Sequence, residues 1–139
     1  MAERLELEIA LRRFRKLLLD TCVLIDEFKS SGSRLRQINR AQRATSSVSV
    51  WEFIHGTKGA LLPAVERNDR RAWLRDQNIV KLPLSPRGSK SFDALLTTEG
   101  PTNVADALLA AECLALRIPV VTSNVRDFEA VRGLRYVHW

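Results

Sequence analysis

The sequence predicts an α/β protein, a three-layer α/β/α sandwich built around a mostly parallel central sheet. Three observations carry this. Short apolar runs, Leu17-Leu18-Leu19 above all, end abruptly at turn residues, as strands buried on both faces do. Segments with helical periodicity or helix caps alternate with those runs. The 139 residues, 45% hydrophobic and 27% charged, suit one globular domain and leave no room for a second sizeable core.

The elements follow in order. Residues 1–15 predict an amphipathic helix, because Leu7, Ala10, Leu11 and Phe14 fall at i, i+3, i+4 and i+7, with Glu8 and Arg12 one turn apart. Residues 1–16 thus form a helical extension ahead of a domain over 17–139. Leu17–Leu19 is the first strand, ending at Asp20-Thr21. Val23-Leu24-Ile25 leads into a helix or loop that stops near Ser30-Ser31-Gly32-Ser33. Arg34 to Arg43 is expected to be helical, with only Leu35 and Ile38 facing inward. Val48-Ser49-Val50 reads as the second strand, followed by a helix that carries Glu52 and ends near Gly56.

Ala60 to Gln77 reads as a helix with Pro63 near its start and Trp73-Leu74 on the inner side. Ile79 to Leu84 is strand-like, and Pro83 confines it to an edge or a strand end. Ser85-Pro86 supplies the cap and first position of a helix reaching about Thr98. Gly100-Pro101 stops that helix, and Thr102 or Asn103 caps the next, Val104 to Leu116. Pro119 to Thr122 is another apolar strand, Asp127 to Val131 a short helix, and Leu134 to Val137 the last strand.

No apolar stretch approaches the roughly 18–20 residues of a bilayer span, and the first sixteen residues lack the apolar core of a signal peptide. A cytoplasmic protein with no membrane contact is the expectation. Cys22 and Cys113 stand far apart without CxxC or Cys/His spacing. They argue against a disulfide framework or structural zinc and read as small core residues.

Twenty-two Lys and Arg against sixteen Asp and Glu give a net charge of +6, which suits a phosphate-bearing or acidic partner. Its distribution says more. Lys29 to Trp51 holds five bases and no acid, whereas Ser91 to Leu116 holds four acids and no base.

Several acids fall where a parallel sheet gathers its functional groups, at the carboxyl ends of strands. Asp20 follows the first strand, Glu52 lies after the second, and Asn124 and Asp127 follow Val120-Val121-Thr122. Asp106 stands in the first turn of the apolar segment VADALLAAECLAL, where only Asp106 and Glu112 are polar. Those two are about 240° apart around a helix at roughly 100° per residue, so one can face solvent while the other cannot share its side. A partly buried carboxylate costs several kcal/mol unless compensated, and a helix N-terminus returns only about 0.3–1 kcal/mol. Each acid also has a structural reading: Asp20 and Asp127 as caps, Glu52 as an arginine partner, Asp106 as a first-turn acid. Together they repel one another, and a divalent, oxygen-seeking ion such as Mg²⁺ or Mn²⁺ would reconcile them.

These residues carry a resemblance. Leu18-Leu19-Asp20-Thr21, Ser49-Val50-Trp51-Glu52, Asp106-Ala107-Leu108-Leu109-Ala110-Ala111 and Thr122-Ser123-Asn124-Val125-Arg126-Asp127-Phe128 resemble, in order and spacing, the PIN-domain nucleases. Within them the resemblance is to the toxin half of VapBC-type toxin–antitoxin pairs. It covers about Leu17 to Val137. It implies a metal-dependent endoribonuclease using Mg²⁺ or Mn²⁺, with RNA as substrate and a cognate antitoxin as partner, and the basic and apolar helices lead us to expect a homodimer whose acidic cleft a small partner covers. Asp20, Glu52 and Asp106 match the three core metal-site acids. At the fourth place Asn124 stands where some members carry an acid, so either Asp127 supplies the carboxylate or the Asn124 amide serves instead. The sixteen residues before the first strand depart from the family pattern.

A metal held by these acids would lower the pKa of a bound water and polarise a phosphodiester, with no histidine required. His55 and His138 sit in no nucleophile–base arrangement. Arg34, Arg36, Arg40 and Arg43, with Arg67, Arg70 and Arg71, are candidates to hold the RNA backbone, and Thr122 and Ser123 offer hydroxyls to a phosphate or a metal-bound water. The alternative is a non-catalytic PIN-like RNA-binding or scaffold module. A haloacid-hydrolase-type site would need a second acid two residues after Asp20, where Cys22 stands. A receiver-type site would need a lysine after the late strand, where Thr122-Ser123-Asn124 stand.

Overall fold

A computed structural model describes residues 1–31, 33–56, 59, 61–96, 100–101 and 103–139. Six parallel strands form one sheet: β1 (Glu3–Arg4), β2 (Leu17–Leu19), β3 (Arg43–Ser46), β4 (Val80–Leu82), β5 (Val120–Thr122) and β6 (Arg135–His138), in the spatial order β1-β6-β5-β2-β3-β4. Helices α1 (Leu7–Arg13), α2 (Thr21–Lys29), α3 (Ser47–His55) and α4 (Ala64–Asp76) contribute to the core on one face. Helices α5 (Pro86–Leu95) and α6 (Val104–Leu116) contribute to the core on the other. This is the predicted three-layer sandwich, with a sheet that is parallel throughout.

The apolar run Leu17-Leu18-Leu19 explains the layering. All three side chains are fully buried, with Leu17 and Leu19 in one core beside Val23, Phe53 and Val121, and Leu18 in the other beside Leu109, Val120 and Phe128. Strand side chains alternate in direction, so a run without a polar residue must be covered on both sides. From β2 the sheet extends through β3 and β4 one way and through β5 and β6 the other. The carboxyl ends of β2 and β5 therefore flank a topological switch point, where the crevice of such sheets opens.

Four expectations are corrected. The N-terminal segment is helical only over Leu7–Arg13. Ahead of it Glu3–Arg4 joins the sheet as an edge strand, because the Glu3 and Leu5 amides donate to Leu134 and Tyr136 carbonyls that β6 would otherwise leave open. The second strand is Arg43–Ser46, not Val48–Val50. Ser46 Oγ accepts the Ser49 amide at 3.0 Å and starts α3 there, which overrides the strand preference of two valines. The polar β3 is tolerated at its buried place because Thr45 Oγ1 donates to the Leu19 carbonyl.

The basic segment forms two 3₁₀ turns, Leu35–Gln37 and Arg40–Gln42, in place of a continuous helix. Glu27 Oε2 takes the Arg34 and Leu35 amides, and the Arg43 guanidinium takes the Leu35 and Ile38 carbonyls that a longer helix would have used. Leu35 and Ile38 do face inward, fully buried. The turn after β5 is a 3₁₀ turn over Val125–Asp127, ahead of the short helix expected at Asp127–Val131.

Elsewhere the caps act as predicted. Pro63 precedes α4, Ser85 Oγ accepts the Gly88 amide to start α5, and Asn103 Oδ1 accepts the Ala105 amide to start α6. The expected boundaries at Gly32, Ala60, Thr98 and Thr102 lie outside the described residues. Of the two polar residues of α6, Glu112 is the buried one. Its Oε1 accepts the Ser85 amide at 3.0 Å and ties α5 to α6. Among the described residues no helix is long and apolar enough to cross a membrane.

Candidate active site

Asp20 leaves the carboxyl end of β2 and caps α2. Its Oδ1 accepts the Thr21 amide at 2.7 Å, and its Oδ2 accepts the Thr122 hydroxyl at 2.8 Å. The Cys22 thiol lies 3.5 Å from the same Oδ2. The carboxylate is almost wholly buried, and burial raises its pKa. The Thr122, Thr21 and Cys22 hydrogen bonds oppose that rise, while the negative charge of Asp127 adds to it.

Glu52 projects from the second turn of α3, where its Oε1 accepts the Thr21 hydroxyl at 2.8 Å. One residue pair, Asp20-Thr21, therefore touches both the β5 exit and α3. Asp106 stands half-buried in the first turn of α6. Its pKa is raised to about 7, first by burial, then by the charge of Asp20, a hydrogen bond with Asp127, and the charges of Asp127 and Glu52. Asp127 sits in the 3₁₀ turn after β5 and accepts a hydrogen bond from Asn124 Nδ2. The structure thus draws Asp20, Glu52, Asp106 and Asp127 into one electrostatic unit at the switch point.

Among the described residues no ion pair neutralises that unit. Among the described residues the ion pairs are Arg70–Glu66 and Arg135–Glu3, both elsewhere. Burial and the neighbouring negative charges of Asp20, Asp127 and Glu52 hold the Asp106 carboxyl at its raised pKa. Among the described residues no three acids, histidines or cysteines are already drawn to ligand spacing. The donor set is nonetheless all-oxygen and carries surplus negative charge, which is the chemistry of a Mg²⁺ or Mn²⁺ site.

The family described as PIN domain matches residues 17–134. The chain belongs to the PIN domain family. It is 26% identical over 133 residues to the tRNA(fMet)-specific endonuclease VapC of Shigella flexneri, covering 89% of this chain and 98% of that protein. It is 25% identical over 134 residues to the protein of the same name from Salmonella typhimurium, with the same coverage. Among solved structures, DNA-bound VapBC from Salmonella typhimurium shares the fold with a TM-score of 0.72 at 22% identity, covering 91% of this chain and 99% of that one. VapBC2 from Rickettsia felis, bound to a promoter DNA fragment, gives 0.68 at 16% identity, covering 88% and 98%.

In this PIN domain the other sequence candidates separate. Thr122 is fully buried with its hydroxyl committed to Asp20, and it also accepts the Asn124 amide, so it positions an acid and does not meet substrate. Arg43 is buried at the amino end of β3 and donates to the carbonyls of Leu35, Ile38 and Gln77, a strand's length from the carboxyl-end crevice. Arg40 donates to the Asp76 carbonyl near the same amino end, and the Arg34 guanidinium stacks 4.4 Å from the Trp139 ring. Arg36 is exposed. Arg70 is buried against Glu66 and the Phe53 carbonyl, and Arg67 donates to the Leu62 carbonyl. Arg71 Nη1 donates to Asn68 Oδ1. His55 stacks on Trp51, and the expected core role of cysteine holds for Cys113, whereas Cys22 lies at the site between Asp20 and Thr122.

Thr21, present in the sequence only within the motif Leu18-Leu19-Asp20-Thr21, is a functional residue beyond the sequence candidates, because its hydroxyl holds Glu52. Its signal was a hydroxyl at the first helical position beside a strand-end acid. Beside Glu52 runs an apolar groove of about 520 Å³ walled by Trp51, Leu84, Val104 and Leu108, the first three exposed.

Proposed function

We propose that this chain is a metal-dependent endoribonuclease and the toxin of a type II toxin–antitoxin pair. The observation that carries the reading is the convergence of four carboxylates, from α3, α6 and the exits of β2 and β5, with no ion pair among the described residues to balance them. Asp20, Glu52, Asp106 and Asp127 hold the metal. Asn124 acts through Asp127, to which it donates.

A bound Mg²⁺ or Mn²⁺ supplies a water of lowered pKa and polarises the phosphoryl oxygen. The chain's own residues set the geometry. Thr122 and the Thr21 amide hold the Asp20 carboxylate from two sides, and the Thr21 hydroxyl holds Glu52, so two acids from distant elements keep fixed orientations. The charge of a cation held there would favour the ionised Asp106 carboxylate, opposing the rise in its pKa. Attack of water on the phosphodiester breaks one P–O bond and leaves a hydroxyl on one RNA fragment and a phosphate on the other.

The relatives named as tRNA(fMet)-specific endonucleases make initiator tRNA the first substrate to test. The VapBC relatives support an antitoxin partner, and the exposed Trp51, Leu84 and Val104 beside Glu52 offer it an apolar footing next to the acids. We place the protein in the cytoplasm, as a homodimer. The test is incubation with tRNA and mixed RNA plus Mg²⁺ or Mn²⁺, comparing wild type with Asp20→Asn and Asp106→Asn. Cleavage is expected from the wild type alone. Cleavage that survives a chelator and both substitutions overturns the reading.

A further inference from the structure

A polar cavity of about 420 Å³ opens on the β5–β6 side of the acid cluster, away from the apolar groove. Its wall carries Arg4, Arg126, Ser123, Asn124, Tyr136 and His138, with Glu129 as its one acid. Asn124 is common ground, since the residue that lines this cavity also donates to Asp127 of the cluster.

Arg4 is placed by the sheet, not by a loop. The Glu3 and Leu5 amides flanking it are bonded to Leu134 and Tyr136, and Arg4 itself is in register with Tyr136. Its neighbour Arg135 has partners of its own, Glu3 and the Phe14 ring. Arg4 and Arg126 are exposed and have no ion pair among the described residues. Two uncommitted guanidinium groups with the Ser123 hydroxyl and the Asn124 amide form a donor-rich concavity, which suits a phosphate far better than an apolar or cationic ligand. The volume is that of a site for one nucleotide-sized group. Arg4 and His138 both fall outside residues 17–134, so the N-terminal strand adds something the matched family region does not contain.

We propose that this cavity is a phosphate subsite for the RNA nucleotide adjoining the cleaved bond, with Arg4 and Arg126 gripping its backbone phosphate. The inference rests on the ribonuclease reading. A strand of RNA whose scissile phosphate lies at the four acids must carry its neighbouring phosphate away from them, because the acids repel it. The cavity is the positively charged exit that begins at Asn124. The strand β1 then has a purpose beyond closing the sheet edge: it carries a guanidinium to the substrate path.

The experiment uses the full chain and a fluorescent single-stranded RNA containing the cleaved sequence, bound in chelator so that no cleavage occurs. Wild type is compared with Arg4→Ala, Arg126→Ala, the double variant and Arg4→Lys over a range of salt. The double variant should bind at least about tenfold more weakly. Its slope of log K against log salt should fall by about 0.7, the value for one phosphate contact on a single strand. In Mg²⁺ the same variant should raise KM with kcat held, and Arg4→Lys should recover part of the loss. Unchanged affinity and salt slope in a wild type that cleaves would overturn the subsite and leave the nuclease standing. Loss of a partner protein's binding with RNA affinity intact would overturn it in favour of an acidic peptide. A wild type that neither binds nor cleaves RNA would remove the ribonuclease reading itself.

Discussion

The Thr122 hydroxyl donates to Asp20 Oδ2 at 2.8 Å, joining the exits of β5 and β2 across 102 residues of sequence. Thr122 has no exposed surface, and the same oxygen accepts the Asn124 amide, so the residue holds both an acid and the turn that carries Asp127. Removing the hydroxyl while keeping the shape isolates that task. Thr122→Val should leave the fold intact and lower Mn²⁺ affinity about 10–100-fold, the usual cost of losing a partner that orients a metal ligand. Thr122→Ser should restore most of it. Calorimetric titration of Mn²⁺ into the three proteins decides the matter, and equal affinities would show that Asp20 needs no such support.

Asp106 makes the metal-free protein sensitive to pH in a direction opposite to that of most carboxylates. Its pKa is raised from 3.8 to about 7 in the folded chain, so the folded state holds its proton more tightly than the unfolded state does. The stabilising contribution is complete below about pH 3.8 and is lost as pH rises towards 7. Asp20 is shifted the same way. In chelator the melting temperature should therefore fall between pH 4 and pH 7.5. Asp106→Asn should flatten that decline, and saturating Mg²⁺ should abolish it. A melting temperature that climbs over this range in chelator would contradict the crowding of the acids.

The layers and the apolar strands were legible because burial on two faces leaves an unmistakable trace: Leu17-Leu18-Leu19 and Val120-Val121 admit no polar residue. The helix starts were legible where one side chain decides them, as at Ser85 and Asn103. Strand β3 was not, because its residues Arg43, Ala44, Thr45 and Ser46 look like a loop, and their burial is licensed in part by partners far away in sequence, the Leu19 and Gln77 carbonyls. Strand β1 was hidden for another reason. Two residues carry no period, and what makes them a strand is the open edge of β6. The four acids could be picked out singly, Asp20, Glu52 and Asp127 from their places after strands and Asp106 from the first turn of an apolar helix, but the hydrogen bonds from Thr21 and Thr122 that orient Asp20 and Glu52 depend on side-chain placement that spacing does not encode.

Gly88 gives a stability prediction whose sign is set by geometry. An alanine within a helix ordinarily gains about 0.5–1 kcal/mol over glycine. Here a Cβ at position 88 would fall 1.7 Å from Glu112 Oε1, the same oxygen that accepts the Ser85 amide. Glu112 is buried, so it has little room to retreat without giving up that bond. Gly88→Ala should destabilise the protein by about 1–3 kcal/mol, the range for overfilling a packed site. Urea titration should show a lower midpoint at unchanged slope, and a stabilised Gly88→Ala would mean that Glu112 swings free at no cost.

Arg43 separates a structural arginine from a substrate-binding one. Its Nε, Nη1 and Nη2 each donate to a different carbonyl, of Ile38, Gln77 and Leu35, which ties the first 3₁₀ turn and the end of α4 to the first residue of β3. A lysine carries the same charge yet cannot span three acceptors in one plane. Arg43→Lys should leave two of these buried carbonyls without their partner and lower stability by about 1.5–3 kcal/mol for each charged hydrogen bond lost, less whatever water recovers. KM for RNA measured well below the melting temperature should not move, because the guanidinium points to the amino end of the sheet and the acids stand at the other. A raised KM at unchanged stability would return Arg43 to the RNA path. A lowered melting temperature with normal KM would place this part of the chain's basic charge in the service of folding.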